Sequence, residues 1–130
     1  MKQVKTDKAP SAIGPYSQAI VANGIVYTSG QIALTASGTD ELLQEDVSIQ
    51  TVAVLKNLQA VLEEAGSSLQ DVVKTTIFLA DMDSFATVNA IYEKAFGEHK
   101  PARATVAVKT LPKNALVEID AVALVTDYSF

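Results

Sequence analysis

The sequence Pro101–Leu124, PARATVAVKTLPKNALVEIDAVAL, decides the fold, because two apolar runs in it flank a turn signal at residues 111–114. Apolar residues alternate with other residues on both sides of that turn, which predicts two β-strands with one apolar face each. The turn itself, LPKN, combines a proline, which lacks the N–H that a sheet needs, with an asparagine, which tolerates tight backbone conformations. We therefore expect the two strands to pair as a hairpin.

Charged side chains on these strands predict an anion site. Arg103 lies among alanine, threonine and valine residues in the first strand, and a guanidinium in such surroundings is costly unless it meets an anion. Its planar fork of N–H donors suits a carboxylate or a phosphate held by two hydrogen bonds. Glu118 lies with Asp120 on the polar face of the second strand and is the obvious internal partner. A structural ion pair and a ligand clamp are both open on this evidence.

Two segments upstream of this stretch predict helices. In residues 45–65 and 84–96, apolar residues recur at helical spacing and charged residues fall largely elsewhere. Acidic residues at the start of the first segment suit the helix dipole. For the second helix we expect Asp83 or Ser84 as the N-terminal cap and Gly97 as the stop.

The other apolar runs predict strands. Asn23-Gly24 is the strongest short hairpin signal in the chain. The strand at residues 72–79 is apolar on both faces in its second half, so we expect it to be central in the sheet. The order of elements predicts a single α+β domain over residues 1–130, with two helices on one face of a sheet. The predicted strands of this part are residues 1–8, 16–22, 25–29 and 72–79.

Composition limits the possible functions. The net charge is −5 and no basic stripe occurs, which argues against a nucleic-acid binder. The chain has no cysteine and one histidine, which argues against the usual metal clusters, and neither a membrane helix nor a signal peptide is expected, so a cytoplasmic location is predicted. Residues 9–39 contain no charged residue. Such a run predicts burial against a partner, most simply further copies of the chain.

A few residues outside the Pro101–Leu124 stretch could take part in chemistry. Tyr16 follows a rigid Gly-Pro turn that could present its hydroxyl to a cleft, although packing on the core is the simpler interpretation. Ser29 precedes Gly30, whose N–H a ligand can approach closely. Asn89 lies within the apolar stripe of the second helix, and because a buried amide needs partners we expect it to hold a neighbouring loop backbone. His99 lies between charged residues and is expected at the solvated surface.

Five blocks of the sequence, in order and spread across nearly the whole chain, resemble the Rid family of reactive intermediate deaminases, also called RidA or YjgF-like proteins. They are IGPYSQA (13–19), SGQI (29–32), DMDSFATVNAIYE (81–93), PARAT (101–105) and LPKNALVEIDAVAL (111–124). The resemblance is to the RidA-type subgroup, which keeps the arginine. It implies a chorismate-mutase-like fold and a homotrimer with clefts between neighbouring subunits.

The resemblance also implies an activity: cofactor-free and metal-free hydrolysis of 2-imino acids and their enamine tautomers to 2-keto acids and ammonia. The substrates would be 2-aminoacrylate, 2-iminopropanoate and 2-iminobutanoate, released by pyridoxal-phosphate dehydratases. Thr105 occupies a position where many members have cysteine. By the same resemblance, Arg103 would bind the substrate carboxylate together with Ser29, Gly30, Asn89 and Thr105, and Glu118 and Tyr16 would be catalytic.

Two other functions remain open on the sequence. One is a regulatory protein that binds keto acids or a partner protein in the same clefts without significant catalysis. The other is a ribonuclease, an activity reported for some members of the family. The acidic pI of about 4.7, the lone His99 and the lack of a basic patch argue against the ribonuclease.

Overall fold

A computed structural model describes residues 1–127 as one six-stranded sheet with two α-helices. The sheet order is β1-β2-β3-β6-β4-β5, and every pairing is antiparallel except the parallel pairing of β4 with β5. Both helices pack on one face of this sheet, so the predicted α+β class is confirmed. The elements are β1 (Lys2–Val4), β2 (Ala19–Ala22), β3 (Ile25–Thr28), α1 (Val47–Glu64), β4 (Val72–Leu79), α2 (Phe85–Phe96), β5 (Ala102–Ala107) and β6 (Val117–Leu124).

The predicted hairpin between β5 and β6 is wrong. Strand β4 lies between them and pairs with both, parallel to β5 and antiparallel to β6. The central position expected for β4 is confirmed, and it explains the error, because a strand that is apolar on both faces is most stable with a neighbour on each side. β4, α2 and β5 instead form a β-α-β unit, in which a helix makes the crossover between parallel strands.

The register of β4 fixes which side chains share a face of the sheet. Thr75 pairs with Arg103 of β5 and with Ala121 of β6, and its hydroxyl lies 2.7 Å from the Tyr92 hydroxyl of α2. These residues therefore belong to the face that the helices cover, here called the helix face. The opposite face, here called the free face, carries Glu118, which pairs with Phe78 in β4.

Local signals explain most helix ends. The Asp46 side chain accepts a hydrogen bond from the N–H of Ile49 at the start of α1. Gly97 has a positive φ of 65° and ends α2 as expected. Ser84 occupies the N-cap position of α2, as predicted, but its side chain makes no capping hydrogen bond. Asp81 instead caps a 3₁₀ turn over Met82–Ser84 that runs directly into the helix.

The hydrophobic core lies between the two helices and the helix face of the sheet. Its largest members include Phe96 of α2 and Ile77 and Ile119 of the sheet. The free face is different, because Tyr27, Val106 and Leu124 remain 48%, 43% and 46% exposed there. Exposed apolar area of this kind is typical of a surface that another protein covers. Among residues 1–127, no helix is long and apolar enough to cross a bilayer.

Candidate active site

Arg103 lies at the sheet edge with its guanidinium against α2. Its Nη1 donates a 2.7 Å hydrogen bond to Oδ1 of Asn89. The guanidinium carbon lies 5.0 Å from the ring centroid of Tyr92 and 5.6 Å from that of Phe85, within the range of cation–π attraction. Residue 103 is nevertheless exposed, so the guanidinium is positioned while donors remain available to an anion.

The structure excludes one of the two alternatives left open for Arg103 and contradicts the expectation for Asn89. Arg103 does not pair with Glu118, which projects from the opposite face, and no carboxylate among residues 1–127 forms an ion pair with it. Asn89 does not hold a loop backbone either. It is only partly buried, and its Oδ1 accepts from Arg103 of the edge strand β5.

A cavity of about 350 Å³, here called the arginine cavity, lies beside Arg103 on the helix face and is lined by Asn89, His99 and Lys100 among others. The expectation that His99 is solvated surface is wrong, since its ring nitrogen Nε2 lies 2.6 Å from the carbonyl oxygen of Val72 and the residue is partly buried. That contact joins the turn before β5 to the start of β4.

Thr105, two residues after Arg103, pairs with Ile77 on the helix face. Its hydroxyl is the one buried side-chain polar atom among the described residues that has no hydrogen-bond partner. Buried hydroxyls are nearly always bonded. This one has no partner within residues 1–127 and is closed to solvent in the single chain.

A second cavity, of about 550 Å³ and here called the acidic cavity, contains Tyr16, Ser29, Gly30, Glu118 and Asp120. The seven candidate residues are thus divided. Arg103, Asn89 and Thr105 lie on the helix face, and the other four line the acidic cavity.

The Glu118 carboxylate lies directly over Gly30. A Cβ atom on residue 30 would be 2.8 Å from the Glu118 carboxyl carbon and closer still to one of its oxygens, so any larger residue here would displace the Glu118 carboxylate. Burial, and then the negative charge of Asp120, raise the pKa of Glu118 above its ordinary value. Burial also raises the pKa of Asp120, against the opposing effects of Thr76 and Lys74.

Ser29 and Tyr16 complete the polar wall of the acidic cavity. The Ser29 hydroxyl donates a 2.6 Å hydrogen bond to the carbonyl of Ser17, so towards a ligand it can only accept. The same bond holds the segment that follows Tyr16. Tyr16 is 53% exposed, with its backbone N–H bonded to the carbonyl of Gly14 at 2.8 Å.

Three buried amides that the sequence analysis missed hold the loops around the acidic cavity. Gln18 donates to the carbonyl of Pro10 at 2.8 Å. Asn57 donates to the carbonyl of Leu34 at 2.9 Å. Gln50 accepts from the N–H of Leu116 at 3.0 Å, next to the turn that carries Lys113. The signal for the two on α1 was present, because positions 50 and 57 fall on the apolar stripe of that helix.

The anion-binding side chain Arg103 therefore lies on the helix face of the sheet, and the acidic pair Glu118 and Asp120 lies on the free face. A small molecule bound to a single chain therefore cannot contact both groups at once. No group of three or more His, Cys, Asp or Glu side chains among residues 1–127 is placed to hold a metal ion.

These features define a class of small α+β proteins with helices on one sheet face and an open, partly apolar second face. The chain belongs to the family described as Endoribonuclease L-PSP, whose model matches residues 6–125.

Relatives of the chain carry several names. The 2-iminobutanoate/2-iminopropanoate deaminase of Salmonella typhimurium is 45% identical over 126 residues, covering 95% of this chain and 97% of that protein. Reactive Intermediate Deaminase A, chloroplastic, of Arabidopsis thaliana is 49% identical over 120 residues, 92% of this chain and 64% of that protein. A Lactococcus lactis relative with the name of a regulator, AldR, is 46% identical over 123 residues, 95% and 97% of the two chains. Others carry only the family name RutC.

Solved structures share the fold over 95% or more of the chain. A Thermotoga maritima protein, whose description suggests an endoribonuclease, is 50% identical with a TM-score of 0.90, covering 95% of this chain and 97% of that one. TdcF of E. coli, solved with bound serine, is 38% identical with a TM-score of 0.89, covering 97% and 100%. Together with the named relatives, these matches confirm the resemblance to the Rid family.

Proposed function

We propose that the protein hydrolyses 2-imino acids and their enamine tautomers to 2-keto acids and ammonia. The substrates would be 2-aminoacrylate, 2-iminopropanoate and 2-iminobutanoate released by pyridoxal-phosphate dehydratases. The observation that carries the proposal is the guanidinium of Arg103, which Asn89 and two aromatic rings hold in place while it has no ion-pair partner in residues 1–127. The name of the Salmonella relative supports the substrate class.

The working unit would be a homotrimer with one site at each boundary between copies. Arg103 and Glu118 lie on opposite faces of the sheet, so a site that uses both needs a second copy. The exposed apolar side chains of the free face and the uncharged run at residues 9–39 supply a surface for that contact. We expect each pair of copies to bury about 2,000 Å² or more, as in obligate interfaces. Sedimentation that gives a stable monomer at micromolar concentration would contradict this assembly.

Binding would begin with the substrate carboxylate on Arg103, held by two parallel N–H donors. Thr105 and Asn89 lie beside Arg103 on the helix face, and a rotation of the Thr105 side chain would bring its unpaired, buried hydroxyl towards the same carboxylate. With the carboxylate fixed, the planar C2 atom presents one face to water. Ser29, whose hydroxyl proton is already donated to Ser17, would accept from the substrate nitrogen.

The reaction would then need one acid and one base close to C2 and C3, and Glu118 could serve as both. The enamine C3 takes a proton from the Glu118 carboxyl, the C=C electron pair forms the C–H bond, and an iminium results. Water adds to C2 while the Glu118 carboxylate takes its proton, and the C=N pair moves to nitrogen. When the nitrogen has been protonated and the hydroxyl has lost its proton, the C–N bond breaks. Ammonia departs and a 2-keto acid remains. Tyr16 lies in the same cavity and could donate the proton to nitrogen.

The test couples the protein to a serine or threonine dehydratase and measures keto-acid and ammonia release. Acceleration of both over the uncatalysed rate, lost in Arg103→Ala, is the expected result. A wild-type trimer that binds 2-oxobutanoate but leaves the rate unchanged would instead favour a second candidate, a keto-acid-binding regulator. The regulator name of the Lactococcus relative and the bound serine in the TdcF structure make that candidate specific.

The family description also names an endoribonuclease. The acidic pair in the larger cavity and the net charge of −5 would repel a phosphate backbone. We therefore expect no RNA cleavage above that of a Glu118→Gln control.

A further inference from the structure

Asp120 is a second carboxylate of the acidic cavity. It follows Glu118 by two residues on β6, so both side chains project from the free face, and both line the same cavity. Their register partners on β4 differ. Glu118 lies opposite Phe78, whereas Asp120 lies opposite Thr76.

The two carboxyl groups therefore have unequal surroundings. The backbone N–H and hydroxyl of Thr76 and the ammonium of Lys74 all favour the charged form of Asp120. Glu118 lies over Gly30 and opposite Phe78 on β4, and nothing comparable favours its charged form. Of two carboxyl groups that repel each other in one cavity, the one whose charged form is less stabilised takes up a proton first.

We propose that Asp120 is a positioning residue whose negative charge favours the protonated form of Glu118, so that Glu118 enters the reaction as an acid. The catalytic use of Glu118 as an acid rests on the proposed imine hydrolysis, but the effect of Asp120 on the protonation of Glu118 does not. In the first step the Glu118 O–H bond breaks, the C3–H bond forms from the C=C electron pair, and Glu118 becomes a carboxylate. In the second step that carboxylate takes a proton from the attacking water, so the pair is ready for another turnover.

The directions of the pKa shifts agree with this assignment. The pKa of Glu118 is raised by burial and then by the charge of Asp120. The pKa of Asp120 is raised by burial alone, with every other influence lowering it. The other charged or titratable groups that face the cavity are Tyr16 and Lys113 at its rim, with Lys74 acting on Asp120 from β4. A guanidinium of a second copy would lower both pKa values. The charge of Asp120, which raises the pKa of Glu118, would then be needed to keep Glu118 protonated.

The direct test is a carbon-13 NMR titration of the Glu118 carboxyl in the intact assembled protein, compared with Asp120→Asn. Removal of the Asp120 charge should lower the pKa of Glu118, and the acidic limb of the pH profile of kcat/KM should move in the same direction. Thr76→Val should raise the pKa of Asp120, because it removes a donor to the charged form. Glu64→Gln removes the same charge from an exposed position on α1, on the helix side of the sheet, and should move neither group.

The outcomes separate this inference from the proposed function. An unchanged Glu118 pKa in Asp120→Asn would overturn the positioning role, whether or not the protein hydrolyses imines. A shift in the titration without imine hydrolysis by the wild-type protein would leave the paired carboxyls intact and overturn the proposed function alone. Lower activity of Asp120→Asn with the pH profile unmoved would assign Asp120 a merely structural part and contradict the inference.

Discussion

Arg103 and Glu118 project from opposite faces of the same sheet, with β4 between their strands. A one-chain ion pair between them is therefore excluded by the register of the sheet. The arginine remains oriented by Asn89 on the helix face, and the glutamate lies over Gly30 in the acidic cavity. The predictions below follow from that separation.

Replacement of Arg103 should cost activity and leave the fold intact. A charged hydrogen bond is worth about 1.5–3 kcal/mol, so Arg103→Ala and Arg103→Lys should each lower kcat/KM by roughly one to two orders of magnitude. Lysine should fail because a point charge cannot form two parallel N–H bonds. Melting temperature should change little, since no buried carboxylate loses a partner. Lys109→Ala, which removes an exposed cation outside both cavities, is the matched control, and a strongly lowered melting temperature in Arg103→Ala alone would contradict the clamp.

Asn89 should matter through Arg103. Loss of the 2.7 Å bond in Asn89→Ala frees the guanidinium to rotate, so we expect KM to rise by up to about tenfold with a smaller change in kcat. In Arg103→Ala, the added Asn89→Ala change should have almost no effect, because its partner is already gone. Additive losses in the double variant would show that Asn89 acts independently of Arg103. Lys94→Ala, on an exposed turn of the same helix, serves as the control.

Gly30→Ala should displace the Glu118 carboxylate, because the new methyl group would occupy its place. We expect a loss of kcat together with a destabilisation of about 1–3 kcal/mol, the usual range for overpacking. Denaturant unfolding in a Glu118→Ala background provides the check, because the shorter side chain makes room for the methyl group. The Gly30→Ala change should be clearly less destabilising there. Equal destabilisation in both backgrounds would place the strain elsewhere.

The acidic pair should lower stability at neutral pH. Groups whose pKa is raised by folding stabilise the native state below their unfolded pKa, and this contribution is lost as pH rises through the folded pKa. In an Arg103→Ala background, where no guanidinium of a neighbouring copy opposes these shifts, Glu118→Gln and Asp120→Asn should therefore melt at a higher temperature than the parent variant near pH 7, and this difference should shrink towards pH 4. A thermal shift series over this range is sufficient. A difference in melting temperature that grows as pH falls would contradict this account.

Local sequence signals predicted the parts of the fold that depend on neighbouring residues. The Asn23-Gly24 turn has positive φ at both positions, 53° and 77°, and joins β2 to β3 as its sequence indicates. Strand β4 has its predicted bounds. The β5–β6 hairpin failed because strand pairing is a long-range property, and a strand 22 residues or more away in sequence takes the place between them.

The site shows the same limit. Alternation along β6 placed Glu118 and Asp120 on one face, but it did not reveal that Thr76 would distinguish them or that Gly30 would lie beneath one of them. Asn89 and His99 were misassigned for a related reason. Whether a position on α2 or in the following turn meets the core, an edge strand or solvent depends on where β5 docks, and that docking is set by β4.

The central claim is that Arg103 of one copy and Glu118 of another form one site for imine hydrolysis. Arg103→Ala and Glu118→Gln, each nearly inactive alone, should be unfolded together in equal amounts, refolded, and assayed with a coupled dehydratase. Random assembly gives about a quarter of the sites both intact residues, so the mixture should recover about a quarter of wild-type activity. If both residues came from the same chain, every site would carry one defect, and a mixture as inactive as its two components would contradict the account.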